Sequence, residues 1–109
     1  MARVLYPGLP SHPQYERARE HFKAGSWLLS FELKNADDCL GLCNRLQLPI
    51  KATGLADTRT LIIPVAHTIF WEDGAEVRAG MGIADSMIRL SVGLEEADDL
   101  ITDFAQALG

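Results

Sequence analysis

The alternation of apolar and polar residues in Ile88-Arg89-Leu90-Ser91-Val92 is the feature that most restricts the fold of this chain. Successive side chains of a β-strand point to opposite faces, so a two-residue period predicts a strand with one face in the core. Such a strand needs neighbouring strands for its backbone hydrogen bonds and helices to cover its apolar face. The chain is therefore expected to build a sheet around residues 87–92.

The remaining elements are predicted from the same periodicities and from turn residues. Apolar residues every three or four positions predict helices, and short alternating or β-branched runs predict strands. The expected helices cover about 12–24, the segment between Asn35 or Asp37 and Pro49, Asp73 to Gly80 or Gly82, and 97–108; the expected strands cover 27–33, 50–53, 60–65 and 87–92. This order predicts an α+β fold with a small, open, mainly antiparallel sheet and helices on one face.

Each element is expected to bury one apolar side. In the first helix that side comprises Tyr15, Ala18 and Phe22, and in the first strand it comprises Trp27, Leu29, Phe31 and Leu33. In the second helix it comprises Cys39, Leu42, Cys43 and Leu46. In the last helix Leu100, Ile101, Phe104 and Leu108 are predicted to point inward, and Asp98, Asp99 and Asp103 outward or near the N-terminus, where acids suit the helix dipole.

Size and charge narrow the class of protein. The chain has 109 residues, of which 48% are apolar, and this suits a single domain. No apolar run is long enough to span a bilayer and no secretory signal is evident, so a cytoplasmic protein without a membrane partner is expected. Residues 1–93 carry ten acids and ten bases, and all of the net charge of −5 comes from the last sixteen residues. A chain without a basic surface is not expected to bind nucleic acid.

The cysteines and histidines do not form a recognisable metal site. Cys39 and Cys43 lie four residues apart in a predicted helix and are expected to be buried free thiols. A zinc site would need two further ligands, and His12, His21 and His67 show no paired spacing. No metal ligand is therefore predicted.

Arg89 is the strongest candidate for binding a ligand, because it occupies the polar face of a strand whose other face is committed to the core. Its planar guanidinium matches a carboxylate through two parallel hydrogen bonds, so an amino-acid carboxylate is a suitable ligand. The alternatives are a surface arginine or an internal ion pair with Asp57 or Asp85.

Three stretches resemble the pyridoxal-phosphate-dependent Cys/Met metabolism family, the trans-sulfuration enzymes: Val4 to Pro13, Leu29 to Lys34, and Ile88 to Glu95 with the following Asp98-Asp99-Leu100-Ile101. This family includes cystathionine γ-synthase, cystathionine lyases, methionine γ-lyase and O-acylhomoserine sulfhydrylases. The resemblance covers nearly all of the chain and is most specific in the R-L-S-V-G stretch. It implies elimination or replacement at the β or γ carbon of a cysteine-, homocysteine- or methionine-type amino acid.

The resemblance implies that residues 1–109 form only the C-terminal small domain of a fold-type I pyridoxal phosphate enzyme. The large domain upstream would hold the cofactor and the Schiff-base lysine, since Lys23, Lys34 and Lys51 do not match that lysine's motif. No catalytic or cofactor-binding residue is therefore expected in this chain, which would be inactive alone. Its partners would be the large domain and, because the family forms homotetramers, further copies of the enzyme.

The resemblance also assigns substrate-binding residues. Arg89 falls on the arginine that binds the substrate α-carboxylate. Where the family has a Ser-Leu-Gly segment, this chain has Thr53-Gly54-Leu55, and a gapless match places Gly54 at the serine with the Thr53 hydroxyl one position earlier. Two other interpretations stay open: a stand-alone module that binds an amino acid or a partner subunit, and a remnant without function.

Overall fold

A computed structural model describes residues 1–109 and contains one five-stranded sheet. The strands are β1 (Arg3–Leu5), β2 (Leu28–Glu32), β3 (Ile50–Lys51), β4 (Leu61–Pro64) and β5 (Met87–Ser91). Their order across the sheet is β1-β2-β5-β4-β3, and every pair is antiparallel except β3 with β4. The predicted open, mainly antiparallel sheet is confirmed, with the alternating strand β5 at its centre.

Four α-helices accompany the sheet: α1 (Tyr15–His21), α2 (Cys39–Arg45), α3 (Ala75–Gly80) and α4 (Ala97–Leu108). Short 3-10 turns precede α2 at Ala36–Asp38 and lie before α3 at Val65–His67 and Trp71–Asp73. The α4 bounds agree with the prediction, whereas α1 is shorter than predicted at both ends. None of these helices is long and apolar enough to cross a membrane.

The main core lies between one face of the sheet and helices α2 and α4. The sheet contributes Phe31, Ile62, Ile88 and Leu90, and α2 with its C-terminal residue contributes Cys39, Leu42, Cys43 and Leu46. All of these side chains are buried, as their spacing predicted. From α4, the Phe104 ring meets Phe31 edge-on with centroids 6.1 Å apart. The hydrophobic effect therefore holds both helices on the face opposite Arg89.

A second, smaller core covers one end of the other face. Ile63, Val65 and Met87 are buried there, with Phe70 and Ile83 packed against them. Strand alternation explains this arrangement, since Ile63 and Met87 point away from the main core. The segment between β4 and β5 thus covers part of the Arg89 face, in addition to the helices on the main face.

Three predictions at the N-terminal end and around α3 are wrong. The first strand, β1, was not predicted, because a three-residue strand is too short to show a period. The apolar side of α1 is not buried in this chain: Phe22 is 69% exposed, and the nearby Trp27 is 52% exposed. Asp73 does not cap α3, since that helix begins after Gly74, whose φ of 84° suits a residue without a side chain.

The inward side of α4 differs from the prediction: Ile101 and Leu108 are 65% and 40% exposed, and the clearest correction is Asp103. It is only 7% exposed and points inward, where its carboxylate accepts hydrogen bonds from the backbone amides of Gln47 and Leu48 at 2.9 and 2.8 Å. Gln106 donates a further bond from its side chain at 2.9 Å. Although burial raises the pKa of Asp103, these hydrogen bonds lower it overall below the usual value for aspartate. The carboxylate joins α4 to the loop after α2, a role that helical periodicity cannot show.

Replacing Asp103 with Asn should destabilise the protein by about 2 kcal/mol, because an amide nitrogen would face a buried N–H donor. The pKa of Asp103 is lowered by folding, so its stabilisation is present at neutral pH and is lost as pH falls through the folded-state pKa. Urea unfolding should therefore show a difference between Asp103→Asn and the parent that shrinks in acid. Asp99→Asn, at an exposed position of the same helix, is the control. Equal stabilities at pH 7 would contradict this role.

Candidate functional site

Arg89 lies at the middle of the central strand and faces away from the main core. Its neighbours across the sheet are Ser30 of β2 and Ile63 of β4. Strands on both sides hold its backbone, and its side chain is half-buried. The base of the side chain is therefore rigidly placed, while the guanidinium remains accessible from one face of the sheet.

The Arg89 guanidinium has a backbone partner but no carboxylate partner. Its Nη2 donates to the carbonyl oxygen of Thr53 at 2.7 Å. Arg89 takes part in none of the four ion pairs of the chain. The two acids considered as partners are engaged elsewhere: Asp57 accepts from the Arg59 amide at 3.0 Å, and Asp85 lies 3.5 Å from Arg78. One of five N–H donors is thus used, and the others can donate hydrogen bonds to a bound carboxylate.

Thr53 and Gly54 both lie in the exposed loop between β3 and β4. The structure brings the Thr53 backbone, rather than its hydroxyl, to Arg89. Strand β3 ends at Lys51, so the alternation rule for strands does not determine where these two side chains point. A Cβ atom at Gly54 would lie 3.2 Å from Leu61 Cδ1, a tight but adjustable contact. Substrate binding by these two residues stays a prediction.

The residues that follow Arg89 hold this loop in place, which the sequence reasoning missed. Ser91 Oγ accepts a hydrogen bond from the Ala56 amide at 3.0 Å, and the Leu94 amide donates to the Thr58 carbonyl at 2.8 Å. Ala56 adopts a φ of 55°, an unusual value for a residue with a side chain. Ser91 is almost fully buried although it lies on the polar side of the alternating pattern. Its contact with the loop explains that burial.

Gly93 allows the two backbones to meet. A Cβ atom at this position would lie 2.5 Å from the Thr58 carbonyl oxygen and 2.6 Å from the Thr60 amide nitrogen. Such distances are shorter than van der Waals contact, and the neighbouring atoms are backbone, so they cannot move aside cheaply. Glycine is thus required at this point of the R-L-S-V-G stretch by the close approach of the β3–β4 loop.

Glu95 completes the contact through Thr60. Its carboxylate accepts from the Thr60 amide at 2.9 Å and from the Thr60 hydroxyl at 2.7 Å. Burial raises the pKa of Glu95, but these hydrogen bonds lower it overall below the usual value for glutamate. Glu95 is therefore ionised at neutral pH and acts as an acceptor only. Sequence reasoning counted it simply among the acidic residues near the C-terminus.

The lysines of this chain do not fit a Schiff-base site for the pyridoxal phosphate that the resemblance implies. Lys23, Lys34 and Lys51 are all exposed, whereas lysine nucleophiles are commonly desolvated or placed beside another cation. Lys51 Nζ donates to Asn44 Oδ1 at 2.8 Å, and its register partner Ile62 belongs to the face opposite Arg89. These three lysines therefore supply no chemical step at the cofactor.

The cysteines and His67 have structural surroundings. Both cysteines are free and buried, and burial raises the pKa of Cys39 to about 11, so neither is disposed to act as a thiolate. His67 Nε2 lies 2.9 Å from the Asp85 carbonyl oxygen, and its ring stacks on Trp71 with centroids 5.8 Å apart. His12 Nδ1 accepts from the Gln14 amide at 3.1 Å and so helps to start α1.

Arg78 is a buried residue that sequence periodicity did not single out. It is 4% exposed, donates to the carbonyls of Phe70 and Trp71, and lies near Asp85. Its guanidinium carbon is 5.0 Å from the centroid of the Trp71 ring, within cation–π range. Arg78 thus ties the turns before α3 to the segment leading into β5, and its role is structural.

Comparison with known proteins places these features in a family context. The sequence model of the Cys/Met metabolism PLP-dependent enzymes matches residues 1–109. An L-methionine γ-lyase from Fusobacterium nucleatum subsp. polymorphum is 42% identical over 107 residues, which make up 97% of this chain and 27% of that protein. The chain thus spans about a quarter of the length of this relative.

Solved structures give the same picture of the fold. One match is a crystal structure of a Campylobacter jejuni protein described as an O-acetylhomoserine (thiol)-lyase, which contains N'-pyridoxyl-lysine-5'-monophosphate. It superposes with a TM-score of 0.90 at 38% sequence identity, and the match covers 96% of this chain and 25% of that one. A cystathionine γ-lyase from Lactobacillus plantarum, solved in complex with L-serine, has a TM-score of 0.90 and 30% identity and covers 98% of this chain and 28% of its own.

Replacing Gly93 with Ala should destabilise the protein by about 2 to 3 kcal/mol, because the new methyl group would overlap the backbone of the β3–β4 loop. Thermal unfolding measures the change, and hydrogen exchange at the Leu94 amide should accelerate as its bond to Thr58 is lost. Gly80→Ala is the matched control, since nothing lies within 4 Å of its added Cβ. Equal melting temperatures of the two variants would contradict the close approach of the β3–β4 loop to Gly93.

Proposed function

Because this chain belongs to the Cys/Met metabolism PLP-dependent enzyme family, we propose that it forms the C-terminal, substrate-carboxylate-binding domain of a lyase or transferase that acts on sulfur amino acids. The substrate class is supported by the names of its relatives, a methionine γ-lyase, an O-acetylhomoserine (thiol)-lyase and a cystathionine γ-lyase. Elimination or replacement at the β or γ carbon is the proposed reaction of the whole enzyme.

The single observation that carries this proposal is the state of Arg89. An arginine on the central strand of a sheet, accessible from one face, has one carbonyl partner and no acid. Ionised guanidinium groups are normally matched by carboxylates or phosphates when they are partly desolvated. An α-carboxylate of an amino acid has the charge and the planar two-oxygen geometry that the remaining N–H donors require.

The contribution of this domain is positioning. A carboxylate held by two parallel hydrogen bonds cannot rotate freely, so the Cα–H bond of the substrate keeps one direction relative to the reacting centre. Pyridoxal phosphate supplies the electron sink for such chemistry when it is bound. Its Schiff-base lysine is proposed to lie in a large domain upstream, because the three lysines here are exposed and Lys51 belongs to the face opposite Arg89.

The exposed side of α1 supports the proposal that this domain packs on the rest of a longer enzyme. Tyr15, Phe22 and Trp27 line a groove of about 590 Å³ beside the N-terminal loop. Single exposed apolar residues are ordinary, but a contiguous apolar groove marks a contact surface. The length of the relatives favours the enzyme's own large domain as its occupant, and the homotetramer implied by the resemblance belongs to the same proposal. A stand-alone module that binds only an amino acid would leave this groove without a function.

Replacing Arg89 with Lys in the full-length enzyme should raise the KM for the amino-acid substrate about 30-fold, since a point charge loses about 2 kcal/mol of a two-bond contact. Steady-state kinetics with L-methionine, L-cystathionine and O-acetyl-L-homoserine would show the change on whichever substrate is turned over. Arg89→Ala should raise KM further.

Arg3→Lys is the matched control for this experiment. Arg3 lies on the same face of the sheet and pairs with Glu32 at 2.6 Å, a contact that lysine can keep. Its KM should equal that of the parent enzyme. A near-normal kcat/KM for Arg89→Ala would remove the carboxylate-binding role.

A further inference from the structure

Thr60 is fully buried, with 0% exposure, and joins the first residues after β5 to the start of β4. Its hydroxyl lies 2.7 Å from Glu95 Oε1 and 2.9 Å from the Gly93 amide nitrogen. The Gly93 amide can only donate and the ionised Glu95 carboxylate can only accept. The Thr60 hydroxyl must therefore accept from Gly93 and donate to Glu95, so the direction of each bond in this relay is determined.

The relay holds one end of the β3–β4 loop against the strand that carries Arg89. At Thr60 the loop is bonded to Glu95, and at Ala56 it is bonded to Ser91. At its other end, the Thr53 carbonyl receives the Nη2 bond of Arg89. With the Leu94 amide bonded to the Thr58 carbonyl, the loop is thus fixed at four places by residues of one short stretch, 89–95. All of these anchors belong to one stretch of chain, so a displacement at Thr60 shifts the loop relative to the strand and changes the position of the Thr53 carbonyl beside Arg89.

We propose that Glu95 is a positioning residue for substrate binding: through the buried Thr60 hydroxyl it fixes the β3–β4 loop, and the loop's Thr53 carbonyl orients the Arg89 guanidinium toward the carboxylate. Glu95 itself does not touch the substrate. This inference rests on the proposed function of Arg89. It assigns a task to an acidic residue that the bound-carboxylate chemistry does not otherwise use.

Two variants remove the relay in different ways. Glu95→Ala deletes both acceptor oxygens, while Thr60→Val keeps the volume of the side chain and deletes only the hydroxyl. In the full-length enzyme each should raise the KM for L-methionine, L-cystathionine or O-acetyl-L-homoserine about tenfold, with a smaller change in kcat. This is the factor expected when a misaligned Arg89 guanidinium loses one hydrogen bond to the substrate carboxylate. Thr60→Ser, which retains the hydroxyl, should restore the parent KM.

Glu96→Ala is the control, because Glu96 is exposed and its side chain makes no hydrogen bond in the structure. The decisive measurement is the double variant Glu95→Ala with Arg89→Lys. If Glu95 acts through Arg89, its tenfold effect on KM should vanish once Arg89 is replaced, because the two changes are not independent.

Three results would overturn the inference. If the rise in KM of the double variant equals the product of the rises for Glu95→Ala and Arg89→Lys alone, Glu95 acts independently of Arg89. A lower melting temperature and kcat with unchanged KM, for both Glu95→Ala and Thr60→Val, would show a merely structural role. A large KM effect of Arg89→Lys with none for Thr60→Val would refute the positioning role alone, whereas no effect of Arg89→Lys would refute the proposed function itself.

Discussion

The close approach of two backbones at Gly93 is the contact on which the candidate site depends. The chain leaves the central strand, meets the β3–β4 loop at Gly93 and then turns into α4. Hydrogen bonds on either side of this contact, at Ser91 and at Glu95, keep the loop beside the strand. Arg89 and the carbonyl that orients it are neighbours only because of this packing. The glycine and the polar residues around it therefore act together with the arginine.

The two faces of the sheet have different roles. Apolar side chains on one face pack with α2 and α4, and this core makes the centre of β5 a rigid platform. Arg89 is free of that core and faces a region that is covered only at one end by the smaller cluster around Met87. The strand backbone of such a platform fixes the base of the arginine side chain, which suits the orientation of a small charged substrate. The exposed groove beside α1 supports the proposal that this platform operates as part of a larger enzyme.

Elements long enough to show a clear period were predictable from the sequence. Very short elements, and an element whose apolar side has no partner within this chain, were not. The bounds of the last helix and of the central strand were predicted almost to the residue, although within the helix Ile101 and Leu108 are exposed and Asp103 is buried, contrary to the prediction. The first helix was predicted to bury Phe22, yet its apolar side has no partner in these 109 residues. Strand β1, with three residues, has no period to detect. Periodicity shows that a face needs covering but does not show what covers it.

Candidate residues followed the same division. Sequence alternation alone placed Arg89 on the strand face opposite the core, and the resemblance named its ligand. The roles of Glu95, Asp103 and Arg78 depend on backbone groups that lie 35, 55 and 8 residues away along the chain. An acid that accepts amide hydrogen bonds and an acid that faces water have the same letter in the sequence. The sequence by itself therefore determined the longer elements, most of the main core and the place of the arginine. Only the tertiary structure decided which polar groups meet, because hydrogen bonds between distant segments exist only once the hydrophobic core has brought those segments together.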